Sequence, residues 1–94
     1  MVRHVVMWKF KEGTEKEAEQ FLTGLAALDG VIDEIRFSQV GRNENPENDY
    51  DAVLIADFED FEGLERYQKD PRHQAVAAIC KSIRLSRTAV DFVL

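Results

Sequence analysis

The stretch Tyr50–Phe58, YDAVLIADF, alternates so that Ala52, Leu54, Ala56 and Phe58 face one way while Val53 and Ile55 line the other side between Asp51 and Asp57. A strand that is apolar on both faces needs cover on both. Upstream, the run Gly41-Arg42-Asn43-Glu44-Asn45-Pro46 is made of turn formers. Before it, Ile35 to Arg42 alternates weakly, with Ile35, Phe37 and Gln39 opposite Arg36, Ser38 and Val40. Two strands joined by an Asn-rich loop make a hairpin.

Downstream, Asp60 is placed to cap a short helix from Phe61 to about Lys69, with Leu64 and Tyr67 toward the core. Asp70-Pro71 then opens a second helix that runs to about Ile83, because an Asp N-cap accepts a first-turn N–H and Pro suits the first helical position. His73 shares the apolar side of that helix with Val76, Ala77 and Cys80, and so points inward. Tyr67 precedes it by six residues, and the break at Pro71 lets the two rings converge. Taken alone, such a Tyr and His fasten a helix restart to a sheet more often than they do chemistry.

Further out, Val2 to Phe10 puts Val2, His4, Val6, Trp8 and Phe10 on one face and Arg3, Val5, Met7 and Lys9 on the other. Thr14 and Glu17 have the spacing of a capping box, followed by Ala18, Phe21, Leu22, Leu25 and Leu28 at helical intervals. Gly30 stops this helix, and Val31 is expected to pack back on its last turn. Thr88 to Leu94 closes the chain as a strand. The order β-α-β-β-α-β predicts an α+β, ferredoxin-like protomer: an antiparallel four-stranded sheet with the helices on one face.

The chain has 94 residues, which we read as one domain spanning 1–94. A chain of this size buries only about 60–65% of its unfolded surface, so two sheets are expected to pack face to face into a dimeric α+β barrel. Twelve Lys and Arg against eighteen Asp and Glu leave a net charge of −6, with no basic face for nucleic acid or an anionic membrane. The lone Cys80 cannot form an intramolecular disulfide and reads as a buried thiol. With neither an uninterrupted apolar signal region nor a membrane-spanning length at the N-terminus, the expected location is the cytoplasm. Two His and no carboxylate–His cluster give no reason to expect a metal or other cofactor. The carbonyls around the end of the first helix, near Asp29 to Ile35, offer a seat for a structural Mg²⁺ or Na⁺, as an exposed helix end can.

The chain resembles the stress-responsive A/B barrel domains, a small family of dimeric α+β barrel proteins, over nearly its whole length. The resemblance rests on HVVMWKFKEGT from His4 to Thr14, VGRNENPE from Val40 to Glu47 and YDAVLIADFED from Tyr50 to Asp60. YQKDPRHQAV from Tyr67 to Val76 and AVDF from Ala89 to Phe92 complete it. It implies a ferredoxin-like homodimer, sometimes built into larger assemblies, but no single activity. Some plant members resemble stress or defence proteins, and one branch holds polyketide cyclases that perform an intramolecular aldol condensation. In that branch the His of a Pro-x-His motif is the general base, a Tyr six residues earlier orients the substrate, and a first-strand His lines the pocket. The matching positions are His73, Tyr67 and His4.

Two functions follow from the residues and the resemblance together. The first is a homodimeric small-ligand-binding or stress-related protein of unassigned activity. The alternative is a cofactor-independent enzyme of the polyketide-cyclase or isomerase kind, with His73 as general base and Tyr67 in support. A neutral imidazole suits proton removal next to a carbonyl, and a phenol can steady the developing enolate. The expected pocket residues are His4, Val6, Trp8, Phe21, Leu25 and Val76, and the ligand is a small hydrophobic or polyketide-like molecule. Trp8 is bulky enough to fill much of that space, and Asp70 near His73 would favour the protonated ring.

Overall fold

The computed structural model describes residues 1–94. The period-two pattern at the N-terminus forms β1 (Val2–Phe10), and Val2, His4, Val6 and Trp8 on one side of it are all buried. It is followed by α1 (Glu15–Ala26), β2 (Phe37–Arg42), β3 (Ala52–Phe58), α2 (Phe61–Lys69), α3 (Pro71–Ile83) and β4 (Arg84–Val93). The strands form one antiparallel sheet in the order β2-β3-β1-β4, which is the expected ferredoxin-like arrangement. β1 is therefore central: His4 stands opposite Ala56 of β3 on one side and Asp91 of β4 on the other.

The helices lie over the face that carries Val6, Trp8, Leu54, Ala56 and Phe58, and α1 contributes Ala18, Phe21, Leu22 and Leu25 to the same core. Burying a side chain of this kind stabilises by about 1.5–3 kcal/mol, so this layer holds the helices in place. The second helical segment is broken where the sequence breaks it. Asp60 accepts from the Gly63 N–H at 2.8 Å and Asp70 from the Arg72 N–H at 2.8 Å, with Pro71 opening α3.

Four local expectations are corrected. The Thr14–Glu17 capping box does not form, because the Thr14 hydroxyl donates to the Lys11 carbonyl at 2.6 Å; Glu15 and Glu17 meet the positive helix end instead. Gly30 takes the left-handed conformation (φ 84°) beyond α1, but Val31 is exposed and Ile32 takes the core position. Both residues donate to the Leu28 carbonyl, and this tight turn carries Val31 outward. The hairpin strands are shorter than their alternation, starting at Phe37 and Ala52. β4 is longer: it begins at Arg84, directly after Ile83, because Arg84 is already extended and pairs with Phe10 across a bulge.

The opposite face of the sheet is apolar and has no helix on it. Met7, Phe37, Val90 and Phe92 are between 40% and 62% exposed there. Among them lies an ion pair in which Arg3 reaches both carboxylate oxygens of Asp57 at 2.8 Å, with its guanidinium 5.8 Å above the Phe37 ring. The Arg3 hydrogen bonds hold the Asp57 carboxyl below its ordinary pKa. No helix is long and apolar enough to cross a membrane.

Candidate functional site

Tyr67, in the last turn of α2, is 2% exposed, with its ring centroid 4.9 Å from Phe58 and 4.4 Å from His73. The Asp70-Pro71 restart thus brings together the two rings that the sequence singles out. Burial pushes the Tyr67 phenol well above its ordinary pKa, so it is a proton donor and not a base.

His73 is half-buried in the first turn of α3, with Nδ1 3.3 Å from the Gln68 carbonyl oxygen. A carbonyl only accepts, which assigns the proton to Nδ1 and leaves Nε2 with a free lone pair. Burial lowers the His73 pKa despite the Gln68 contact, so the ring is neutral at pH 7. Asp70 does not hold it protonated. That carboxylate takes the Arg72 side chain at 2.7 and 3.0 Å as well as the Arg72 N–H, and its pKa falls to about 2 through those bonds.

His4 is buried on β1, and its Nδ1 lies 2.5 Å from Oδ1 of Asp91. The carboxylate fixes Nδ1 as the protonated nitrogen and sets the orientation of the ring.

The two His side chains meet at one partly open space of about 50 Å³ between sheet and helices. Val6, Trp8, Phe21, Leu25 and Leu54 form its apolar wall; Ala77, Cys80, Arg84 and Arg87 complete it. Trp8 and Phe21 meet edge to face at 5.0 Å and fill the room that a deeper pocket would use, as expected from the bulk of Trp8. A cavity of this kind needs about 10–15 Å³ to hold one water, so the space suits a molecule of a few heavy atoms. Burial raises the Cys80 thiol pKa, which makes it wall and not nucleophile.

Five of the six expected pocket residues, His4, Val6, Trp8, Phe21 and Leu25, line this space, and Val76 does not. α3 turns Val76 toward α1, where its methyl carbons would stand 3.4 and 3.5 Å from a Cβ at Gly24, and Ala77 takes the wall position. Tyr67 sits behind His73 and outside the wall. Sequence reasoning missed Arg84, Arg87 and Asp91. Placing the last strand at Thr88 hid both arginines: period two from Asp91 through Ala89 puts Arg87 on the helix-facing side, whereas Arg84 reaches that side only through the bulge opposite Lys9 and Phe10, which no period shows.

Several carbonyls in and beside the stretch after α1 already have donors. The Val31 carbonyl accepts from Arg72 Nη1 at 3.1 Å, the Asp33 carbonyl from Arg36 Nη1 at 2.5 Å, and Ile32 and Leu28 carbonyls from backbone N–H groups. No three His, Cys, Asp or Glu side chains are grouped closely enough to share an ion.

The family model described as "Stress responsive A/B Barrel Domain" matches residues 2–94. The chain is 31% identical over 83 residues to an uncharacterized protein of Streptomyces coelicolor, covering 84% of this chain and 86% of that protein. It is similar to the crystal structure of a dimeric protein of unknown function with a ferredoxin-like fold from Bacteroides fragilis. There the TM-score is 0.90 at 28% identity, over 99% of this chain and 95% of the other. A dimeric ferredoxin-like protein of unknown function from Thermobifida fusca superposes with a TM-score of 0.86 at 30% identity, over 99% of this chain and 90% of the other.

Proposed function

Since the chain belongs to the stress responsive A/B barrel domain family, we propose that it is a homodimer in which each protomer holds a small polar molecule between His4 and His73. His73 draws a proton from that molecule. The observation that carries this reading is a neutral, half-buried His73 with Nδ1 tied to the Gln68 carbonyl and Nε2 left free beside the cavity. In the step, a C–H bond next to a carbonyl breaks, its proton moves to Nε2, and its electron pair passes to the carbonyl oxygen as an enolate. Reversal returns the proton. Tyr67 backs the ring and keeps water from it; His4, held by Asp91, faces the same molecule.

Aldol cyclisation of a polyketide-like chain is the second reading, favoured by the meeting of Tyr67 with His73 and of His73 with His4. The Trp8–Phe21 wall and a volume of about 50 Å³ weigh for a substrate of a few heavy atoms. Homodimerisation is supported by the bare apolar sheet face and by the two neighbours described as dimeric. We also take residues 1–94 as one domain, and the cytoplasm as its location, since a buried unpaired thiol suits a reducing compartment. A net charge of −6 argues against nucleic acid or an anionic membrane as partner.

Exchange of the protons next to the carbonyl of small ketones and keto acids in D₂O, followed by proton NMR, tests this reading. His73→Ala should abolish catalysed exchange with the melting temperature nearly unchanged. Equal exchange by both proteins, or none by the wild type, would defeat it.

A further inference from the structure

We infer that the molecule held between His4 and His73 is a small carboxylate, with its anionic end between Arg84 and Arg87. This deepens the reading above and rests on it.

Both arginines line the cavity. Neither has a carboxylate within ion-pair distance, a state shared only by Arg42 away from the cavity, whereas Arg3, Arg36, Arg66 and Arg72 each pair with one. Carboxylates are not scarce in this chain, with eighteen Asp and Glu against twelve Lys and Arg. The acid that shares their strand and face, Asp91, is engaged by His4. Two guanidiniums without an ion-pair partner, Arg84 half-buried and Arg87 exposed, therefore stand at one small cavity in an acidic protein. Their planar donor forks match a carboxylate in a way that an ammonium does not.

The rest of the lining sorts the ligand further. Val6, Leu25 and Leu54 accept hydrocarbon, the Trp8–Phe21 pair limits its length, and the free Nε2 of His73 accepts a proton. At about 50 Å³ inside the wall, the carbon body is short, roughly two to four carbons when water is the yardstick. Small 2-oxo and 3-oxo acids carry all three features: an anion for the arginines, an acidic C–H for His73 and a carbonyl oxygen to hold the electron pair. The guanidinium field of Arg87 reaches His73 and steadies that developing negative charge.

Trp8 is the one tryptophan of the chain and part of the wall, so its fluorescence reports occupancy. Pyruvate and acetate are to be titrated against their neutral isosteres pyruvamide and acetamide, with amide NMR shifts recorded alongside. The acids should bind at least about tenfold more tightly than the amides, the loss expected when charge-assisted bonds become neutral ones. Arg84→Gln and Arg87→Gln should each weaken pyruvate about tenfold, with melting temperature and light-scattering mass unchanged, while Arg66→Gln on α2 has no effect. If acid and amide bind equally at the cavity, the carboxylate inference fails and the small-ligand reading stands. If neither moves Trp8 fluorescence or the amide signals, both fail. Should an arginine variant not fold, the acid–amide comparison on the wild-type protein decides alone.

Discussion

Asp91 Oδ1 stands 2.5 Å from His4 Nδ1 across the β1–β4 ladder, where the two residues are direct partners in register. The bond joins the first strand to the last and sets which His4 nitrogen faces the cavity. Asp91→Ala leaves a buried ring N–H without an acceptor, and the expected cost is about 1–3 kcal/mol. A double-mutant cycle with His4→Ala, read by urea denaturation, should show coupling of the two sites. Additive losses would mean the contact contributes nothing.

Phe21 is 2% exposed and meets both Trp8 and Phe10 edge to face. Phe21→Ala should cost about 3–5 kcal/mol and enlarge the cavity, since the site cannot fully collapse. Acetophenone, too large for the wild-type space, should then quench Trp8 in the variant only. Quenching in the wild type as well would show that the Trp8–Phe21 wall is not what limits ligand size.

The His73 pKa is lowered on folding, chiefly by burial. The unfolded chain therefore binds the proton more readily, and stability is retained above about pH 6.5 and lost as pH falls from that value toward the folded pKa. Activity that depends on neutral His73 should have its acid limb below the ordinary imidazole range. His73→Gln should flatten the fall in melting temperature between neutral pH and pH 5. A slope unchanged in the variant would assign it to other groups.

The uncovered sheet face carries Met7, Phe37, Val90 and Phe92. Val90→Glu sets a charge in the middle of the proposed interface, where desolvating it has no compensating partner. Light scattering at micromolar concentration should give a dimer for the wild type and a monomer for Val90→Glu. A monomeric wild type would remove the two-sheet assembly.

Much of the architecture was legible because its signals are local. Alternation marked the strands, the spacing from Ala18 to Leu25 marked α1, and Asp60 and Asp70-Pro71 marked two helix starts whose caps are seen in place. The same locality explains the convergence of Tyr67 and His73, which needs only a bend of known position. Local signals also misled. Thr14 had the spacing of a cap but found a closer acceptor in Lys11, and Val31 lost its place to Ile32 within one turn.

The amino-acid sequence by itself determined the order of elements, the buried side of β1 with His4 and Trp8, and the pairing of the Tyr67 and His73 rings. Only the tertiary structure decided that Asp91 holds His4 from 87 residues away, that Arg84 and Arg87 close the cavity, and that Trp8 and Phe21 leave it about 50 Å³. The reason is physical. A strand's period tells which residues share a face, but the register between strands and the volume left between layers arise from packing across the whole chain.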